Sequence, residues 1–144
     1  MSTYTHILVG LDLSEESAQV LNKANAIARA FKAKISIAHI LEPLSFAYGG
    51  DMPIDLSDVQ NALEEQAIAR LEKIARENAV ETSEQIVTIG STASQLHRLA
   101  ADHKADLIVV GSHGRHGIAL LFGSTSNDVL HGTKCDVLAV RVQQ

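Results

Sequence analysis

Apolar and polar positions along the chain alternate between two periods. Nearly unbroken apolar runs at His6-Ile7-Leu8-Val9-Gly10-Leu11, Leu107-Ile108-Val109-Val110 and Asp136-Val137-Leu138-Ala139-Val140-Arg141-Val142 read as strands, and the run Leu107 to Val110, bounded by turn residues, fits one buried on both faces. Lys34 to Ile40, apolar at Ile35, Ile37 and Ile40, and Glu84 to Ile89 read as two further strands. Between them the spacing lengthens to that of helices. Ser14 stands at the N-cap of a helix from about Glu15 to Phe31, with Leu21, Ala24, Ala28 and Phe31 on one face. Ser57 with Gln60 forms a capping box, and the helix it opens runs to about Asn78 with Val59, Leu63, Ala67, Leu71 and Ile74 inward. Thr92 with Gln95 opens a third helix to about His103, Leu96 and Leu99 facing the core. A short fourth takes in Val129 and Leu130 after Gly123 and stops at Gly132. Strands alternating with helices imply right-handed crossovers, hence an α/β fold with a parallel five-stranded sheet and helices on both faces.

One connection stands out by its length. Leu41 to Leu56 carries both prolines, Pro43 and Pro53, together with Gly49 and Gly50, and exceeds the usual four to six residues or so of a connection. The chain has 144 residues, 46% hydrophobic and 20% charged, which suits one domain over 1–144 with a sizeable core. The first apolar segment, Ile7 to Leu13, is broken by Gly10 and Asp12 and is too short for a signal peptide or membrane span. A cytoplasmic protein with no membrane partner is expected. The single cysteine, Cys135, has no internal partner for a disulfide and reads as a small core thiol in a reducing compartment.

Charge narrows the partners. A net charge of −5 disfavours nucleic acid as the main ligand. The aromatic residues (Tyr4, Phe31, Phe46, Tyr48, Phe122) form no stacking series for single strands. A nucleotide partner is therefore expected to be a free mononucleotide.

The stretch from Ala105 to Asp128 holds the candidate chemistry. The strand ending in Val110 runs into Gly111, Gly114 and Gly117, and the loop closes at Gly123-Ser124-Thr125-Ser126. Glycines let the backbone approach a ligand closely, and the helix start offers unpaired N–H groups, hydroxyls and a positive dipole end. That combination reads as a phosphate cradle, to which Arg115 adds charge unless it is simply solvated. It is neither a dinucleotide fingerprint nor a Walker A loop, since no G-K-[ST] occurs. His113 and His116 lack the third donor that a protein-held metal needs, so Mg2+ carried on phosphates is the more natural ion. Asp12, ending the first strand, either contacts a ligand at the switch point of the sheet or caps the helix that follows. No nucleophile elbow and no paired acid and base are visible, which leaves at most slow ATP cleavage.

Gly111-Ser112-His113-Gly114 followed by Gly123-Ser124-Thr125 resembles the nucleotide-binding signature of the universal stress protein family, G-x2-G-x9-G-[ST]. The spacer here, residues 115 to 122, is eight residues instead of nine. The opening HILVGLDLSEES and the later KISIAHILEP also resemble the family's first two strands. The resemblance implies an open Rossmann-like sheet of the adenine nucleotide alpha hydrolase-like kind, order 3-2-1-4-5. The crevice then lies between the carboxyl ends of strands one and four, where strand order reverses and open α/β sheets bind ligands. It further implies ATP or AMP, with or without Mg2+, held by Gly10, Leu11, Asp12, Ile40 and Val110 and by Gly111, His113, Gly114, Arg115, Gly117, Gly123, Ser124, Thr125 and Ser126. A homodimer through the last strand, by Val137, Leu138, Ala139, Val140, Arg141 and Val142, is implied as well. Two function classes stand. One is a nucleotide-binding stress-response protein whose ligand state tunes an unidentified regulatory partner; the other is a homodimeric interaction module of the same fold with a degenerate crevice, which the short spacer permits.

Overall fold

Ile7 and Val9 point to one side of the central strand and Leu8 to the other, and all three are fully buried, so both faces of the sheet need covering. A computed structural model describes residues 4–41, 57–111 and 134–142. Its elements, in order, are β1 (His6–Gly10), α1 (Ser17–Phe31), β2 (Lys34–Leu41), α2 (Ser57–Glu77), β3 (Glu84–Ile89), α3 (Thr92–Asp102), β4 (Leu107–Gly111) and β5 (Asp136–Val140). The five strands form one parallel sheet in the order β3-β2-β1-β4-β5, as expected. The long connection after Leu41 and the short helix around Val129 lie outside the described residues.

Two apolar layers sandwich the sheet. On one side α1 (Val20, Leu21, Ala24, Ala28) and α2 (Leu71, Ala75) cover Ile7, Val9, Ile35, Ile37, Val109 and Val140. On the other, α3 (Leu96, Leu99, Ala100) covers Leu8, Ala38, Ile40, Ile108 and Val110. Among the described residues no helix is long and apolar enough to cross a membrane. Cys135 is half-buried against the α3 layer.

Three helices end in the same way. Lys32, Ala79 and Lys104 adopt left-handed φ values of 55, 54 and 56°. The next amides reach back, Ala33 N to Ala28 O (2.8 Å), Val80 N to Ala75 O (2.9 Å) and Ala105 N to Ala100 O (2.8 Å). This is the Schellman closure, made here without glycine.

Several local expectations are corrected. α1 begins at Ser17 with Glu16 at its N-cap, not after Ser14, because Ser14 is drawn to Asp12 instead. α3 has Ser91 at its N-cap with no side-chain cap bond, and the hydroxyl of Thr88 donates to Gln95 Oε1 at 3.2 Å. Val59 and Leu63, expected inward, are exposed, whereas Ala67 and Leu71 are buried. At about 1.5 Å per residue α2 is longer than the strands beneath it, so its first turns run past the core.

The amino-terminal end of the sheet is tied across its two central strands. The Asp106 carboxylate, just before β4, accepts hydrogen bonds from the Thr5 amide (2.9 Å), the Thr5 hydroxyl (3.0 Å) and the His6 amide (3.1 Å). Burial works to raise this carboxyl, but those donors outweigh it and hold it below the ordinary aspartate value.

Candidate functional site

β1 and β4 separate at their carboxyl ends. Their pairing runs Ile7↔Leu107, Leu8↔Ile108, Val9↔Val109, while β1 stays paired with β2 one residue longer, to Gly10↔Ala38. The chain leaves β1 toward one face of the sheet, and α3 enters β4 from the other. This is the switch point at which open α/β sheets take ligands.

The strand residues expected to line this crevice come together here, in differing roles. A Cβ on Gly10 would lie 3.2 Å from Leu96 Cδ2 and 3.2 Å from Val110 Cγ1, so this glycine makes room for core packing. Val110 and Ile40 are buried in the α3 layer. The Leu11 side chain is buried in the opposite layer, and its amide donates to Ala38 O at 2.9 Å. The Leu11 carbonyl is met in turn by His39 Nδ1 at 2.7 Å, so both polar groups of its backbone have partners within the chain. Gly111 ends β4, half-buried. His113, Gly114, Arg115, Gly117, Gly123, Ser124, Thr125 and Ser126 lie outside the described residues.

Asp12 is the one charged side chain at this point of β1. Its Oδ1 accepts from the Ser14 amide (2.9 Å), the Ser14 hydroxyl (2.6 Å) and the Ser17 hydroxyl (3.2 Å). Burial alone would raise the carboxyl; these bonds outweigh it and keep it below the ordinary aspartate value, hence ionised near neutrality. All three bonds fall on Oδ1, and among the described residues none other than Asp12 itself donates to Oδ2. Asp12 thus holds the turn that leads into α1. The next residue, Leu13, has φ 64°, a left-handed conformation that costs a non-glycine residue about 1 kcal/mol or more.

Three site residues had not been singled out from the sequence. Ser17 is buried with its hydroxyl on Asp12. His39 meets the Leu11 carbonyl from β2, and Arg70 meets the Leu13 carbonyl from α2. A signal existed for His39, which follows Ile35 and Ile37 on alternate positions where a third apolar residue is due. Arg70 is an exposed helix arginine, and nothing in its spacing marks it.

β5 is an edge strand, ending at Val140 where Val142 had been expected. Val140 and Val142 are buried within the chain, Val137 and Leu138 are half-buried, and Ala139 and Arg141 are exposed. A groove of about 480 Å³ beside it is lined by Tyr4, Ile27, Phe31, Asp136, Val137 and Leu138, among others. The Tyr4 hydroxyl donates to Asp136 at 2.8 Å, and its ring stands edge-on to Phe31.

Comparison with known proteins gives a consistent result. The family described as the universal stress protein family matches residues 3–141. Universal stress protein A homolog 2 of Coxiella burnetii is 43% identical, over 99% of each chain. A universal stress protein solved in complex with cAMP superposes with a TM-score of 0.70 at 30% identity, covering 99% of this chain and 100% of that one. The universal stress protein of Archaeoglobus fulgidus in complex with dAMP shares the fold, with a TM-score of 0.61 at 22% identity over 97% and 98% of the chains.

Proposed function

This chain belongs to the universal stress protein family, and on that premise we propose that it binds an adenine nucleotide in the crevice between β1 and β4. The observation that carries the proposal is the Asp12 carboxylate, held ionised at the point where the central strands part, with Oδ2 turned to no other donor among the described residues. An ionised carboxylate with a free oxygen is suited to the hydroxyls of a ribose. The Ile40 and Val110 side chains pack into the α3 layer, so it is the Ile40 backbone that would face the base. By the sequence pattern alone, amides of Gly111, Gly114, Gly117 and Gly123 and hydroxyls of Ser124, Thr125 and Ser126 would take the phosphates, with His113 and Arg115 as further donors. Mg2+ would ride on those phosphates. The relative solved with cAMP supports an adenine nucleotide of one phosphate or more.

We assign no reaction to the crevice, and ATP cleavage, if supported, is slow. The functional unit we propose is a homodimer through β5, because β5 is the last strand in the order of the sheet and an apolar groove lies beside it among the described residues. Ligand state would then tune contact with a regulatory partner in the stress response.

The test is a thermal-shift titration with cAMP, AMP and ATP, each with and without Mg2+. Ligand at a hundredfold excess over Kd stabilises by about 2.7 kcal/mol, a readily measured rise in Tm. Asp12→Ala should lose most of it. No stabilisation by any of the three at millimolar concentration removes the nucleotide reading and leaves the dimeric interaction module that the eight-residue spacer at 115–122 favours.

A further inference from the structure

The Ser14 and Ser17 bonds fix the Asp12 carboxylate relative to its own turn, and they do not fix that turn relative to the sheet. Two side chains from other elements do. The His39 ring nitrogen Nδ1 lies 2.7 Å from the Leu11 carbonyl oxygen, and since a carbonyl only accepts, Nδ1 donates. Arg70 Nη2 donates to the Leu13 carbonyl oxygen at 2.8 Å. The carbonyls one residue before and one residue after Asp12 are therefore each held, from β2 and from α2.

We propose that His39 and Arg70 are positioning residues of the crevice, which clamp the turn on either side of Asp12 and thereby aim the carboxylate's second oxygen at the ligand. The proposal rests on the nucleotide-binding reading for its ligand and on geometry for the clamp. β2 holds Leu11 twice, through the Ala38 carbonyl on its amide and through His39 on its carbonyl. α2 holds Leu13 in the left-handed conformation that an unrestrained leucine would leave. A half-buried imidazole on the inward face of β2 is otherwise costly, because a polar group leaving water needs a partner. Its partner here is a carbonyl at the site.

Five proteins test the proposal: wild type, His39→Leu, His39→Asn, Arg70→Met and Arg70→Lys. Calorimetric titration with cAMP and AMP gives Kd, and melting without ligand gives the structural cost. His39→Leu and Arg70→Met should each weaken binding about tenfold, equivalent to about 1.4 kcal/mol. Asparagine can place an amide N–H near the position of Nδ1, so His39→Asn should stay within about threefold of wild type. Arg70→Met should melt within about 2 °C of wild type, because Arg70 is exposed. Wild-type affinity in both truncations, or a loss in His39→Asn as large as in His39→Leu, overturns the proposal. Amide exchange at Ser14, whose N–H is held by Asp12, reads the clamp without ligand. Exchange should quicken about tenfold in Arg70→Met, and unchanged exchange overturns the clamp even if wild type binds no nucleotide. Quickened exchange in a protein that binds neither nucleotide keeps the clamp and removes only the nucleotide reading.

Discussion

Leu96 occupies the space that a side chain on Gly10 would need: a Cβ there would lie 3.2 Å from Leu96 Cδ2, and Leu96 is 1% exposed with nowhere to retreat. Gly10→Ala should therefore destabilise the protein by about 1–2 kcal/mol, as overpacking of a full core does. Leu96→Ala should cost about 2–5 kcal/mol through the cavity it leaves. The double variant tests the relationship, because the new methyl enters the vacated space. Its cost in urea unfolding should be smaller than the sum, and strict additivity would show that the two positions do not compete.

The helix ends offer the opposite change. Lys32, Ala79 and Lys104 are exposed and left-handed, where glycine has no Cβ penalty. Each change to glycine should stabilise by about 0.5–1 kcal/mol, the gain being trimmed by glycine's larger freedom in the unfolded chain. The triple variant should melt several degrees higher, and a lower Tm in any single variant would contradict the Schellman closures.

Acid stability should depend on Asp106. Its native carboxyl titrates below the ordinary value of 3.8, so the folded state binds protons less readily than the unfolded one. The stabilisation is fully present above that ordinary value and is lost as pH falls through the lowered native one. Asp106→Asn should lower Tm at pH 7 and flatten its fall below about pH 4. A variant whose Tm parallels wild type across that range would remove Asp106 as the source.

At the sheet edge, Ala139→Lys places a charge on an exposed position of β5 and should block edge-to-edge pairing without disturbing the core. Sedimentation of wild type as a dimer and of the variant as a monomer is expected. A monomeric wild type would end the dimer proposal.

The fold was legible from the sequence because strands buried on both faces leave unbroken apolar runs, such as Leu107 to Val110, that no other element in the chain resembles. Asp12 was singled out by its place just after the first such run, and its carboxylate proves to organise the turn into α1. What escaped was set by distance in space. Periodicity put Val59 and Leu63 inward with Ala67 and Leu71, but it carried no sign that the first turns of α2 would stand exposed. No glycine marked Lys32, Ala79 or Lys104, so their left-handed turns left no trace in residue type. The partner of Leu13 is an arginine 57 residues away on a solvated helix face, and such a contact exists only once the layers have docked.

Asp106 gathers Thr5 and His6 at one end of the two central strands, and the same strands diverge after Val9 and Val109 at the other. Together they make a fork whose stem is fastened. The separation of its tines, and so the girth of any guest, is governed from the stem as much as from the residues that touch it.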